Sequence, residues 1–200
     1  GISHKIVNDL FDGIESDLKH KVNLNTKKDL LIYSYQVAGT VGLMMAKILK
    51  VNDKQSLRGA VDLGVAMQLT NITRDIIEDK KRNRTYIKAD FNSINETIFL
   101  ADIFYQSSFP AIKNIPIFSR FAILVARRIY KRIGYEILSK KNIATYNNAG
   151  KIYVSVLSKT FETFLSFFDL IKLFFINSSE EERQNEHIML HEEINLDERI

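Results

Sequence analysis

The sequence predicts an all-helical fold. Only two of its 200 residues are prolines and eight are glycines, and no long segment alternates apolar and polar residues as a half-buried strand does. Hydrophobic residues make up 46% of the chain, which is enough to form a core in one domain or most of one. The sequence contains no cysteine, so disulfides, a thiol nucleophile and a thiolate metal site are excluded.

Each helix is placed by its apolar periodicity and by the polar or proline residues at its ends. We predict one domain over residues 1–176, followed by an acidic tail, 177–200, that is disordered. In order along the chain, we predict helices over about 3–20, 28–51 and 56–81, a loop over 82–92, a short helix to about residue 106, and helices over about 119–140 and 147–176.

Charge is unevenly distributed along the chain. The formal net charge is +4, but the segment from Ser178 onward holds eight acidic and two basic residues, so the rest carries about +10. Such a body would attract diphosphates, anionic lipids or nucleic acid, and nucleic acid ranks last because the basic residues form no compact stripe. His187 and His191 are four residues apart but lack the glutamate of a zinc-protease motif, so we predict no zinc site there.

The segment QLTNITRDIIEDKKRNRTY, residues 68–86, carries a narrow polar stripe. At about 100° per residue, its polar side chains share one face of a helix, with apolar residues on both sides of that face. A surface helix would instead place its charges opposite its apolar side, so we expect the stripe to line a cavity. Its members are Gln68, Asn71, Asp75, Glu78, Asp79 and Arg82.

These side chains suit a metal–phosphate site. Carboxylate and amide oxygens without cysteine or histidine favour a hard cation such as Mg²⁺, which commonly bridges carboxylates to substrate phosphates. Arg74 and Arg84 lie close by in sequence and could hold phosphate oxygens. The alternative is a surface helix stabilised by ion pairs one turn apart. The amides in register with the carboxylates favour the metal–phosphate site.

Two further segments allow two interpretations each. In YSYQVAGTVGLMMA, Gly39 and Gly42 lie inside a predicted helix, where they indicate either a tight helix crossing or a groove for an apolar ligand. The segment FETFLSFFDLIKLFFI, residues 161–176, is too short and too often charged to span a membrane. We interpret it first as a buried core helix and second as a face that touches a membrane.

Both the glycine-containing block and the segment LGVAMQLTNITRDIIEDKKRNRTYI resemble the squalene/phytoene synthase family, most closely its phytoene synthase branch. The resemblance covers about residues 6–160 and includes FDGIESDL upstream of the first block. It implies an all-α isoprenoid synthase helical bundle around a central apolar cavity. It also implies prenyl diphosphate substrates and Mg²⁺, with Mn²⁺ as a substitute, held by two Asp-rich helices that face each other across the cavity.

The resemblance assigns roles to individual residues. It implies that Asn71, Asp75 and Asp79 hold the metal and that Gln68 supports the metal or the diphosphate. With Asp75 and Asp79, Arg74 would form the catalytic group. Among further substrate-binding residues, it implies that Arg84 and Tyr86 orient the diphosphate. It implies that the prenyl cavity is lined by Tyr33, Val37, Val41 and Gly42. Tyr146 would correspond to a tyrosine near the end of the family's catalytic core.

The sequence departs from the family pattern in several places. No D-x-x-x-D motif precedes Phe11, so the chain resembles a C-terminal portion whose N-terminal helices are missing, and we expect it to be inactive alone. Asn83 replaces the family's usual glycine, Ile87-Lys88 replaces Leu-Pro, and Lys151 stands where arginine is common.

The expected activity is the head-to-head condensation of two geranylgeranyl diphosphates to phytoene, via prephytoene diphosphate, in carotenoid biosynthesis. The alternatives are a dehydrosqualene or squalene synthase acting on farnesyl diphosphate, a non-catalytic family homologue that acts as an assembly or binding protein, and a helical protein of the membrane surface. We expect a cytoplasmic protein whose membrane contact, if present, is peripheral. The sequence predicts no oligomeric state.

Overall fold

Helix α4 is the central element of the fold in the computed structural model, which describes residues 1–176 and 183–200. It packs along α6 and is also flanked by α3 and α7, because Val61, Val65 and Leu69 present a fully buried apolar side. The helices are α1 (His4–Leu18), α2 (Lys27–Ser34), α3 (Thr40–Ile48), α4 (Lys54–Arg74), α5 (Ile76–Lys81), α6 (Phe91–Ala111), α7 (Ile117–Leu138), α8 (Ile143–Asn148), α9 (Val156–Phe175) and α10 (Asn185–Glu193).

Short irregular elements join these helices. A π-helical segment, Tyr35–Gly39, connects α2 directly to α3, and 3₁₀ turns cover Ile112–Asn114 and Leu196–Glu198. Two short strands, β1 (Val22–Asn23) and β2 (Arg84–Thr85), pair in parallel. The all-helical prediction is therefore confirmed, and the strand pair serves only to hold the loop after α5 against the connection from α1 to α2.

The crossing of α3 and the π-helical segment on α4 is tight because glycine stands at the contact. A Cβ atom at Gly42 would lie 2.2 Å from the carbonyl oxygen of Ala60, and one at Gly64 would lie 2.3 Å from that of Ala38. No side chain fits at those distances, so the backbones touch directly. The tight crossing is therefore confirmed. Gly42 also borders a cavity, and the groove for an apolar ligand stays a prediction.

The predicted helix over 56–81 is interrupted at Asp75, whose φ of −105° and ψ of 13° end α4 before α5 begins. The hydroxyl of Tyr146 donates to the carbonyl oxygen of Thr73 (2.7 Å) and lies 3.1 Å from that of Arg74. These carbonyls would otherwise accept the next helical hydrogen bonds. The single-helix prediction is therefore wrong at this point.

Other predicted boundaries also change. The helix predicted over 28–51 contains the π-helical segment, and the short helix before residue 106 continues to Ala111. The helix predicted over 147–176 begins only at Val156, as α9, and a separate short helix, α8, ends at Asn148. Pro110 lies in the last turn of α6.

The prediction of a disordered tail is wrong for residues 183–200, which form α10 and a 3₁₀ turn. Leu190 and Leu196 are each 1% exposed, and Glu186 and Glu193 pair with lysines of α2. Burial and pairing together supply the free energy that an acidic segment alone would lack. The rest of the predicted tail, residues 177–182, lies outside the described residues.

Helix α9 exposes its phenylalanines, so the prediction that it is a buried core helix is wrong. Phe164, Phe168 and Phe175 are more than half exposed. Glu162 and Asp169 instead face α7, where both accept hydrogen bonds from Arg128 at 2.8 and 2.7 Å. Within the described residues, no helix is both long and apolar enough to span a bilayer.

Candidate functional site

An apolar cavity of about 370 Å³ lies between the π-helical segment, α3, α4 and α7. Its walls are almost entirely hydrocarbon, and its polar side chains include Gln68 and Asn71 near the C-terminal end of α4. The predicted wall residues Val37, Val41 and Gly42 all border it. Other lining residues include Met45, Leu63, Met67, Ile123, Ala126 and Tyr130.

Asn71 carries an unpartnered polar atom at this cavity. Its side-chain oxygen, Oδ1, is buried and accepts no hydrogen bond from any described residue. A buried oxygen without a partner costs about 1–3 kcal/mol, so this atom is suited to a ligand that brings its own positive charge or donor. Gln68, one turn earlier, borders the same cavity.

Asp75 is already neutralised by cations. Arg74 donates two hydrogen bonds to its carboxylate, from Nε at 2.8 Å and from a terminal nitrogen at 2.5 Å. The Lys151 ammonium lies 3.8 Å from the same carboxylate and 2.9 Å from Glu78. Lys151 thus supplies a positive charge at the position where the resemblance leads one to expect arginine.

Asp79 has a different environment. It borders a second pocket, of about 270 Å³, together with Arg84 and Tyr86. Burial and the charge of Asp75 raise the pKa of Asp79 to about 6, although Arg84 and Arg82 act in the opposite direction. Neither Asp75 nor Asp79 borders the apolar cavity. The polar stripe, predicted to line one concave wall, is therefore divided at the break between α4 and α5.

A cluster around Asp17 ties this second pocket to α1. The hydroxyl of Tyr86 donates to the Asp17 carboxylate at 2.7 Å, and the hydroxyl of Tyr33 lies 3.0 Å from the same oxygen. The two tyrosine rings stack with their centroids 4.7 Å apart. Arg84 donates to the backbone oxygen of Asp17 at 2.9 Å.

This cluster changes two predictions. Tyr33 was predicted to line the apolar cavity, but it does not border it, because its ring is held against Tyr86. Asp17 was missed as a site residue, although it lies in the quoted segment FDGIESDL. The only sequence signal for Asp17 is the resemblance of that segment to the family. Local spacing does not indicate its partner Tyr86, which is almost seventy residues away.

Tyr146 is buried, and its hydroxyl contacts the backbone at the C-terminal end of α4. Its hydrogen bonds to the end of α4 fix the turn that carries Asp75, so it shapes the site through the backbone. No contact places its hydroxyl in the cavity, and the predicted substrate-binding role remains a prediction.

The oxygen atoms of Asn71, Asp75 and Asp79 are of the type that binds magnesium, but they are too few to complete a site. Asn71 Oδ1 is unpartnered, and Asp79 lacks nearby positive charge sufficient to keep its pKa low, as expected of ligands awaiting a cation. Across residues 1–176 and 183–200, no three histidine, aspartate or glutamate side chains converge closely enough to hold a metal ion. Further oxygen ligands would have to come from elsewhere, such as a diphosphate.

A helical bundle around an apolar cavity, with amides and acids at the end of a central helix, is an isoprenoid synthase architecture. The solved structure described as "a dehydrosqualene synthase in complex with ligand" superposes with a TM-score of 0.69 at 28% identity, covering 86% of this chain and 66% of that one. Residues 1–93 match the family model "Squalene/phytoene synthase". These 93 residues are just under half of the chain, and over them the chain is similar to the squalene/phytoene synthase family.

Two phytoene synthases are also similar to this chain. The chain is 35% identical over 140 residues to the 15-cis-phytoene synthase of Enterobacter agglomerans, which covers 60% of this chain and 48% of the relative. It is 52% identical over 79 residues to the phytoene synthase of Thermus thermophilus, and this match covers 40% of this chain and 27% of the relative. The chain therefore spans about half the length of the first of these relatives.

Proposed function

We propose that this chain provides the C-terminal portion of an enzyme that condenses two geranylgeranyl diphosphates head to head. The two substrates would join with loss of one diphosphate and a proton, giving prephytoene diphosphate. Loss of the second diphosphate and another proton would then give phytoene. The observation that carries the proposal is the apolar cavity that ends at Gln68 and the unpartnered Asn71.

In this proposal each part of the site has one task. The hydrocarbon walls hold the prenyl chains and keep water away from the allylic cation that forms when diphosphate departs. Arg84 and Tyr86 would orient the diphosphate, and Arg74 would share its charge between Asp75 and that group. Asn71, Asp75 and Asp79 would hold Mg²⁺, which supplies electrostatic stabilisation of the leaving diphosphate.

We propose further that the chain alone has little or no synthase activity. It provides one group of acidic ligands, and a diphosphate needs positive charge arranged on both sides to leave readily. The test is the full chain incubated with geranylgeranyl diphosphate and Mg²⁺. Robust hydrocarbon formation would contradict this part of the proposal.

A chimera tests the catalytic proposal itself. The segment of the Enterobacter agglomerans enzyme that this chain matches would be replaced by the corresponding segment of this chain, and products from C20 and C15 diphosphates would be extracted. Phytoene from the C20 substrate supports the proposal. Conversion of only the C15 substrate favours the dehydrosqualene or squalene alternative, and a folded chimera without product favours a non-catalytic homologue.

The exposed face of α9 supports a second proposal, a peripheral contact with a membrane surface. Its outward side is rich in exposed phenylalanine while its acids turn inward to Arg128, the reverse of the usual pattern for a helix that faces water. Phe164→Ser with Phe168→Ser should abolish flotation with phosphatidylglycerol vesicles. Phe11→Ser with Leu18→Ser, an exposed apolar pair on α1, is the control, and equal losses in the two variants would contradict the proposal.

A further inference from the structure

The π-helical segment Tyr35–Gly39 forms part of the cavity wall. Its residues Val37 and Ala38 border the cavity, and the backbone N–H of Thr40 donates to the carbonyl oxygen of Tyr35, five residues earlier. Such wide turns are rare and less stable than α-helix, and they persist where surrounding contacts hold them. The question is therefore what holds this one.

Two helices press on the segment from different sides. On α1, a Cβ at Gly13 would lie 2.8 Å from side-chain atoms of Gln36 and Val37. On α4, Gly64 lies against the carbonyl of Ala38, where a Cβ would be 2.3 Å from the oxygen. The position of α1 therefore bears directly on where Val37 and Ala38 stand.

A buried polar chain fixes the start of the segment to α1. The hydroxyl of Tyr35, whose side chain is almost fully buried, donates to Oδ2 of Asp9 at 2.6 Å. Asp9 also accepts two hydrogen bonds from the guanidinium of Arg199, at 2.5 Å to Oδ2 and 2.9 Å to Oδ1. Burial alone would raise the pKa of Asp9, but Arg199 and Tyr35 outweigh burial and keep this pKa below its ordinary value.

Arg199 is itself anchored by the C-terminal segment, residues 183–200. Leu196 is buried, Asp197 accepts from Arg58 at 2.7 Å, and Glu198 pairs with Lys5 on α1. At the other end of this segment, Arg183 donates to the fully buried Asp62 at 2.9 Å. The segment therefore presents the Arg199 guanidinium to Asp9 from a fixed position.

We propose that Arg199 is a positioning residue for the cavity wall. Acting through Asp9 and Tyr35, it holds the π-helical segment so that Val37 and Ala38 face the cavity. This role concerns the shape of the cavity and assigns no chemistry to Arg199. Only its expected effect on prenyl binding rests on the function proposed above.

Hydrogen–deuterium exchange of the full chain tests the proposal. Arg199→Gln removes the charge and the paired donors, and Tyr35→Phe removes only the hydroxyl. Each should speed exchange of the amides of residues 35–41 by about tenfold or more, as expected for loss of a buried charge-assisted hydrogen bond. Arg199→Lys should give an intermediate effect, because an ammonium cannot bind both carboxylate oxygens in the same geometry.

Asp197→Asn is the matched control, since it weakens an exposed ion pair of the same turn without touching Asp9, and it should leave exchange of residues 35–41 unchanged. The double variant Arg199→Gln with Tyr35→Phe should differ little from the stronger single variant, because both act on Asp9. Faster exchange confined to residues 183–200, or a uniform increase over the whole chain, would overturn the proposal.

Equilibrium dialysis with tritiated geranylgeraniol gives the second readout, and it needs no metal. Arg199→Gln and Tyr35→Phe should weaken binding severalfold, while Asp197→Asn should not. If the unmodified chain binds no geranylgeraniol, the proposed function fails while the exchange result still decides the role of Arg199. If the unmodified chain binds it and the two variants bind equally well, the proposed effect on the cavity is wrong.

Discussion

Asp75 and Asp79 carry identical side chains one turn apart, yet their surroundings give them different electrostatic roles. Asp75 is held by Arg74 and Lys151, whereas burial and the neighbouring Asp75 raise the pKa of Asp79 to about 6. Because a pKa above the ordinary value of 3.8 disfavours the ionised form in the folded state, ionised Asp79 lowers stability above about pH 6. This cost is gone once the pH falls below about 4.

Asp79→Asn should therefore stabilise the metal-free chain at pH 7.5 by roughly 1 kcal/mol, a value reduced for partial solvent screening. The gain should vanish near pH 4, where the wild-type carboxyl is also neutral. Thermal melts at the two pH values measure it. Addition of Mg²⁺ should then raise the melting temperature of the unmodified chain more than that of the variant, and a lower melting temperature for metal-free Asp79→Asn at pH 7.5 would refute the prediction.

Asp75→Asn should have the opposite effect on stability. Spacing alone suggests that removing this charge relieves repulsion, but Arg74 donates to both carboxylate oxygens, and an amide would offer it one neutral acceptor in their place. We expect a loss of about 1 kcal/mol in the free energy of unfolding. Glu78→Gln is the control, because Glu78 is 46% exposed and makes one ion pair, and its change should be close to zero. Urea denaturation of the two variants decides the matter.

At the scale of single elements, α10 depends on a histidine that is buried in its neutral form. The His187 ring packs on Phe104 with centroids 4.5 Å apart, and its Nε2 lies 2.9 Å from the hydroxyl oxygen of Ser107. Burial lowers the pKa of His187 below its ordinary 6.5, although Asp62 opposes this shift while Arg183 and His191 reinforce it. A depressed pKa means that the stability contributed by this site is present above about pH 6.5 and is lost as the pH falls through the lower folded-state pKa.

The chain should therefore become less stable between pH 7.5 and pH 5.5, and His187→Gln should reduce this dependence. His20→Gln provides the comparison, since His20 is exposed on the surface. Melting temperatures across the pH range give the measurement. The prediction would fail if the His187→Gln and His20→Gln variants retained the same pH dependence as the unmodified chain.

At the scale of the whole molecule, local patterns predicted those features whose partners lie nearby in sequence. The period of α4 correctly brought Gln68 and Asn71 to one side, and both border the cavity together with Val37, Val41 and Gly42. The break at Asp75 could not be predicted in this way, because it depends on the hydroxyl of Tyr146, which is more than seventy residues away.

The ordered C-terminal segment was missed for the same reason. Its composition is acidic, but its partners lie on α1, α2 and α4, and composition cannot specify such distant complements. The roles of Asp17 and Asp62 likewise appear only when helices far apart in sequence are brought together. Helix type and the apolar wall were thus available from periodicity, whereas the buried polar contacts required the tertiary structure.

One whole-molecule prediction follows from Asp62, which has no exposed surface and faces Arg183. Arg183→Gln should destabilise the full chain by about 3 kcal/mol, because it leaves a buried carboxylate with only His191 and the hydroxyl of Ser107 beside it among the described residues. Adding Asp62→Asn should recover part of that loss, which urea denaturation would measure. If the single variant were as stable as the unmodified chain, the C-terminal segment would contribute nothing through this pair.

The glycine contacts between α3 and α4 have a consequence for how this protein can change. Where two backbones already touch, as at Gly42 and Gly64, neither a larger nor a smaller side chain is available, so that wall cannot be tuned by substitution. The wall formed by α7 consists of ordinary side chains, Ile123, Ala126 and Tyr130. Variants selected to accept longer or shorter ligands should therefore accumulate on α7, while the glycine wall stays the same.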